Sequence, residues 1–162
     1  MAATFKVYEK NGVGETATDK TSGTVRFKNA DDATVDTNNP MVIPVSGTDY
    51  SYEKYLRANI TGTYTSISNI KMYSDGGNGL GTGVNAYAKT AAAYTTPAEA
   101  TATTGYTSVF TYTSGSALTV GAGPFTGTGD KGNYVMMIGT VLDTATQGVT
   151  ASETITWSWD EI

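Results

Sequence analysis

The sequence predicts an all-β fold: an antiparallel β-sandwich, jelly-roll-like, formed as a single domain over residues 1–162. Three observations carry this. Apolar residues recur at every second position in several short runs, the period of a strand with one buried face. Thr is the commonest residue and Tyr, at 11, dominates the aromatics; both types suit a pleated, half-buried surface. Nineteen glycines, interspersed with Asn and Asp, cut the runs apart at turn-forming clusters. No long amphipathic helix pattern and no internal repeat of about 20–50 residues is visible.

Taken in order, residues 5–9 alternate and predict a first strand. Residues 11–23 read as a loop, and residues 24–28 (TVRFK) as a short second strand. Residues 31–40 (DDATVDTNNP) form a polar loop. Residues 41–45 predict a strand at a sheet edge, because Pro44 has no N–H to give a ladder.

The stretch from Tyr50 to Gly77 predicts a central hairpin of two long strands. Tyr50, Tyr52, Lys54, Leu56, Ala58 and Ile60 share one face, with Lys54 the one break in it, its long stem able to snorkel. Gly62 marks the bend, and residues 67–73 alternate again through Ile70 and Met72. Beyond the 75–79 turn, residues 84–89 predict a strand with Ala86 and Ala88 inward and Tyr87 outward. Residues 90–105 are Ala- and Thr-rich loop, with one helical turn expected at 97–100 behind Pro97. Residues 107–113 and 115–119 read as short strands. YVMMIGTVL at 134–142 is apolar on both faces and predicts a fully buried strand. Residues 154–160 close the chain, with Ile155, Trp157 and Trp159 on one face. The expected core comprises Leu56, Ala58, Ile60, Ile70, Met72, Met136, Ile138 and Ile155.

Composition bounds the chemistry. The net charge of −5 and pI near 4.5 argue against nucleic-acid binding, whose footprint is a basic patch. No apolar run is long enough for a helical membrane span. The opening MAATFKVYEK has no apolar secretory core, which predicts a protein made and used from a cytoplasm. There is no cysteine, hence no disulfide and no thiolate metal site, and no histidine, hence no His-based triad.

The glycines of GGNGLGTG do not open a helix after a strand, the context a dinucleotide fingerprint requires. The carboxylate pairs Asp31–Asp32 and Asp160–Glu161 are adjacent in a loop and at the C-terminus, not held across a cleft as glycoside hydrolysis requires. Asp75 and Asp130 lie in loops without the spacing of a calcium loop. The expectation is a non-enzymatic protein with no cofactor and no metal.

That leaves surfaces. Tyr55, Tyr64, Tyr73, Tyr87 and Tyr94 are candidates for exposed strand and loop aromatics. Trp157 and Trp159, large aromatics on one strand face, predict a cap on a core or an interface. Trp157, Trp159, Tyr55 and Tyr73 are the expected interface residues.

The segments Tyr52-Glu53-Lys54-Tyr55-Leu56-Arg57, Thr61-Gly62-Thr63-Tyr64 and Ile67-Ser68-Asn69-Ile70-Lys71 resemble the core of small structural proteins of tailed bacteriophages. The closing Thr154-Ile155-Thr156-Trp157-Ser158-Trp159-Asp160-Glu161 resembles their last strand. The resemblance implies a virion protein assembled in the host cytoplasm. It implies first a capsid decoration (cement) protein, bound as a trimer to the major capsid protein or other virion proteins. The alternative is a receptor- or glycan-binding β-sandwich module of a head fibre or tail. It carries over no catalytic residue, and residues 90–132 have no counterpart in it.

Overall fold

The computed structural model describes residues 2–162, which form ten strands and one short 3-10 turn. The strands are β1 (Ala3–Asn11), β2 (Thr16–Asp19), β3 (Thr48–Tyr50), β4 (Lys54–Gly62), β5 (Ile67–Tyr73), β6 (Val84–Ala91), β7 (Thr107–Ser108), β8 (Leu118–Gly121), β9 (Gly129–Leu142) and β10 (Thr156–Glu161). All pairings are antiparallel. The fold is an antiparallel β-sandwich packed as a single domain, as the alternation predicts. A seven-stranded sheet runs β2-β1-β4-β9-β6-β7, with β3 also pairing β9. A three-stranded sheet, β10-β5-β8, packs against it.

The expected central hairpin does not form. β4 pairs with β1 and β9, whereas β5 lies in the other sheet between β10 and β8. The two strands exist, and both turn their apolar faces into the same core: Leu56, Ala58 and Ile60 from one sheet, Ile67, Ile70 and Met72 from the other. Alternation fixes which face is buried, but two facing sheets satisfy it as well as two paired strands do.

Burial along β5 departs from strict alternation, because Ile67 and Ile70 are both fully buried. Asn69, in the left-handed region at φ 51°, lies in a bulge opposite β10, where Asn69 and Ile70 face one residue, and this turns both isoleucines inward. A second irregularity lies between β4 and β9, where Leu56 pairs with Val135 but Ala58 pairs with Lys131. Gly132 sits in it at φ 70°, and a Cβ there would stand 2.9 Å from the Val120 carbonyl oxygen. Only glycine fits that position.

β9 is the central strand. Every residue from Tyr134 to Val141 is buried, as its apolar run predicts. Its two faces serve different cores. Val135 and Met137 join the main core between the sheets. Tyr134 and Met136 join a second cluster on the outer face with Tyr55, Tyr94 and Tyr106. Of the expected core, Leu56, Ala58, Ile60, Ile70 and Met72 lie in the main cluster. Met136 lies in the outer one, Ile138 is fully buried, and Ile155 packs half-buried against the main core.

Four expected elements differ. Residues 24–28 and 41–45 are not strands, and residues 97–100 make no helical turn. Conversely, β2 forms in what reads as loop and closes a hairpin with β1. The alternation at 24–28 does bury Val25 and Phe27 against the core, but the backbone there joins no ladder. Residues 107–113 yield a two-residue strand that turns into the 3-10 segment Val109–Thr111.

Candidate functional site

Three layers of cover over the large sheet decide which surfaces remain available. The three-stranded sheet covers one half of its inner face. An arm of irregular backbone, residues 20–47, covers the other half. A strap, residues 92–106, covers part of the outer face.

The arm is held by charge. Glu9 and Lys54 face inward on β1 and β4, both fully buried, and pair at 3.1 Å. Lys20 reaches the other Glu9 oxygen at 3.6 Å and donates to the Thr24 and Ala33 carbonyls at 2.8 and 2.6 Å. Lys54 also donates to the Asp32 carbonyl at 2.6 Å. Lys28, itself fully covered, binds the Asp32 and Asp36 carboxylates at 2.5 and 2.8 Å. Those two hydrogen bonds raise the Lys28 ammonium above its ordinary pKa. The Lys28 bond, aided by Thr34, holds Asp32 well below the usual carboxylate range, and Asp36 is lowered by the same lysine. Phe27 lies against Gly139, where a Cβ would fall 2.7 Å from its ring.

Each lysine therefore meets more than one oxygen, as a single surface ion pair does not, while the Glu9 oxygen facing Lys20 is left without a hydrogen bond. Lys54 is thus not a snorkelling break in an apolar face. The available signal was that Glu9 follows Phe5 and Val7 at the same inward spacing, so an acid and a base both fall on inner faces.

The arm's outer surface is mostly Thr, Ser and Asn, with three valines set among them. Val35, Val42 and Val45 are 51%, 59% and 102% exposed. The arm lies beside Asp49 of β3, whose carboxylate accepts from the Val42 N–H at 2.7 Å.

The expected interface residues separate. Trp157 and Trp159 come together on the inner side of β10. Trp159 stacks face to face on Phe5 with centroids 4.1 Å apart, and Trp157 lies tilted 6.2 Å from the same ring. Both are half-buried and cap the core. β10 bonds β5 on one side, and on its other side no backbone partner exists among the described residues. Tyr73 is half-buried at the end of β5, beside a shallow groove of about 370 Å³ shared with Glu153 and Asp75.

Tyr55 is not a surface residue. It is 1% exposed, on the outer face of β4 under the strap, with edge-on contacts to Tyr94 at 5.0 Å and Tyr134 at 5.9 Å. Alternation gave Tyr55 the polar face of its strand; the strap turns that face into a second core. The strap is pinned by Tyr55 Oη to Thr95 at 2.6 Å, Tyr94 Oη to the Gly12 carbonyl at 2.7 Å and Tyr106 Oη to Glu53 at 3.2 Å. Burial pushes the Tyr94 and Tyr134 hydroxyls up to about 12, and raises Tyr106 as well.

The carboxylates singled out in the sequence are engaged by the chain itself. Asp31 accepts from Asn11 Nδ2 and the Gly12 N–H, and Asp160 accepts from Asn69. Glu161 accepts from the Ala3 N–H. Asp75 accepts from the Gly77 N–H. Burial opposes charge on Asp130, yet Asn59 and Lys10 hold its carboxyl below its usual range. Among the described residues, no three acidic side chains converge as a metal site would require. The arrangement as a whole is one of surfaces, with an anchored arm that exposes three valines and an open strand edge as its distinctive parts. No protein-family model, no curated protein and no solved structure matches this chain.

Proposed function

We propose that this chain is a non-enzymatic structural protein of a phage virion, a decoration protein that reinforces the head by adhering to the major capsid protein as a homotrimer. The observation that carries the reading is the arm. A segment of 28 residues without its own secondary structure is tied to the body where Lys20 meets Glu9 and Lys54 meets the Asp32 carbonyl, while it turns three valines to the outside. A mobile loop would have to be ordered on binding, at a cost in conformational entropy. A fixed one keeps its contacts ready and loses less entropy on association. The unpaired edge of β10 supplies a second adhesive element, since an open strand edge is a template for pairing with another chain. Closed rings of like subunits multiply such contacts by avidity.

The test uses the double variant Val42→Asp, Val45→Asp. Sedimentation gives the mass in solution, and co-sedimentation with capsids lacking the protein gives binding. The expected result is a trimer that binds in the unmutated protein and lost capsid binding in the variant, with an unchanged far-UV spectrum. An unmutated protein that is monomeric and leaves such capsids bare overturns the reading.

A further inference from the structure

The strap leaves the outer face of the large sheet open at the far end of β9. Register places Tyr50 of β3 and Asn85 of β6 on either side of Thr140 of β9, so the three side chains form one row across adjacent strands. Thr48 lies next to that row opposite Leu142, and Tyr87 lies two residues along β6. Together with Thr103 at the edge of the strap and the 78–83 loop, they line a cleft of about 410 Å³, within the roughly 300–1,000 Å³ usual for small-molecule sites.

We propose that this cleft binds a neutral oligosaccharide. None of its twelve lining residues is charged, in a chain that is 15% charged. The lining offers no ion-pair partner to a phosphate, a carboxylate or an amine. It offers hydroxyls and amides, which both donate and accept, as a ring bearing many hydroxyls requires. Tyr50 and Tyr87 supply half-buried aromatic rings. Sitting on the two strands that flank β9 and offset by two residues along them, they are roughly 12 Å apart by strand geometry. Aromatic rings at that separation suit the apolar faces of the first and third sugar rings of a trisaccharide.

The Asn85 amide is already oriented. Its Oδ1 accepts from the Ala86 N–H at 2.8 Å and from Ser108 Oγ at 3.2 Å. Nδ2, whose one contact is a long 3.4 Å approach to Tyr87 Oη, is left to donate. The cleft is separate from the valine-bearing arm and the β10 edge, so the inference stands apart from the decoration reading.

The test is heteronuclear NMR on the isolated, isotope-labelled protein, titrated with maltotriose, cellotriose and chitotriose, with sialyllactose against lactose as the charged comparison. Saturable millimolar shifts confined to the amides around Thr48, Tyr50, Asn85 and Thr140 are expected for at least one neutral sugar. Tyr87→Ala should then weaken binding about tenfold, and Tyr87→Phe should retain most of it. Should the alanine variant fail to fold, the shift map of the unmutated protein decides alone. No saturable shift at these residues with any neutral sugar, shifts centred elsewhere, or tighter binding of sialyllactose than of lactose each overturn the proposal.

Discussion

The two halves of the large sheet's inner face are covered by opposite means. Under the three-stranded sheet, Ile60, Ile67, Ile70 and Met72 exclude water with side chains that need no partners. Where the arm covers it, Glu9 and Lys54 of the sheet and Lys20 and Lys28 of the arm are buried too, and each needs its partners in place. Apolar cover tolerates small shifts, because dispersion and the hydrophobic effect have no direction. Ionic cover does not, since a buried charge that loses its partner keeps its whole desolvation cost. The sandwich thus has a forgiving half and an exacting half on the same sheet, and the exacting half carries the proposed adhesive arm.

The largest expected effect probes the exacting half. Glu9→Ala strands two buried ammonium groups and should cost about 3–5 kcal/mol. Ile70→Ala removes comparable buried volume from the forgiving half and should cost about 2–5 kcal/mol. The two differ in rescue. Replacing Glu9 and Lys54 together by Leu and Met should recover in urea melts the part lost through Lys54, because well-packed apolar groups replace an ion pair at little or no cost, and leave the part lost through Lys20. A second substitution beside Ile70→Ala should not recover it unless it refills the cavity.

Acid should separate the halves by a smaller step. The Asp32 and Asp36 carboxyls are held below their usual values by Lys28. Their contribution is therefore fully present above a pH of about 4, the ordinary aspartate range, and is lost as pH falls through the depressed folded values. Between about pH 4 and pH 2, the arm should gain protease sensitivity while the near-ultraviolet signal of Trp157 and Trp159 holds. Loss of both at the same pH would show that the halves unfold together.

The fold was legible where burial is apolar. Tyr134 to Val141 announces itself as a strand buried on both faces, and Leu56, Ala58 and Ile60 mark an inward face in their spacing alone. The partners of that face were not legible. Periodicity of two reports the side on which a residue lies and says nothing of whether β5 sits beside β4 or across from it. The second core was hidden for a related reason: Tyr55 occupies the polar side of its strand by alternation, and only the strap, distant in sequence, covers it. The arm was misread as two strands because Val25 and Phe27 alternate into the core. The backbone around them bonds outside any ladder: the Thr24 carbonyl accepts from Lys20, the Lys28 carbonyl from the Tyr52 N–H, and the Asn29 N–H donates to the Asn39 carbonyl. Of the candidate surface, the paired tryptophans were legible and the uncharged cleft was not, since its residues come from four separate segments.

The smallest effect concerns the strap. Tyr94→Phe deletes the hydroxyl that donates to the Gly12 carbonyl and leaves the ring in the aromatic cluster. It should cost about 1 kcal/mol, the net worth of one hydrogen bond, and be seen as a small drop in the urea midpoint. A cost as large as that of Ile70→Ala would mean that the strap is part of the main folding unit.

The most direct test of the ionic anchor is native-state hydrogen exchange on Glu9→Gln, which keeps the side chain's shape and removes its charge. Protection should fall at the Asn29 and Tyr52 amides, which bond to Asn39 and Lys28 of the arm, and should persist through Ile67–Tyr73 of β5. Equal loss of protection in both regions, or none in either, would contradict the account that buried charge anchors the arm while the rest of the sandwich rests on its apolar core.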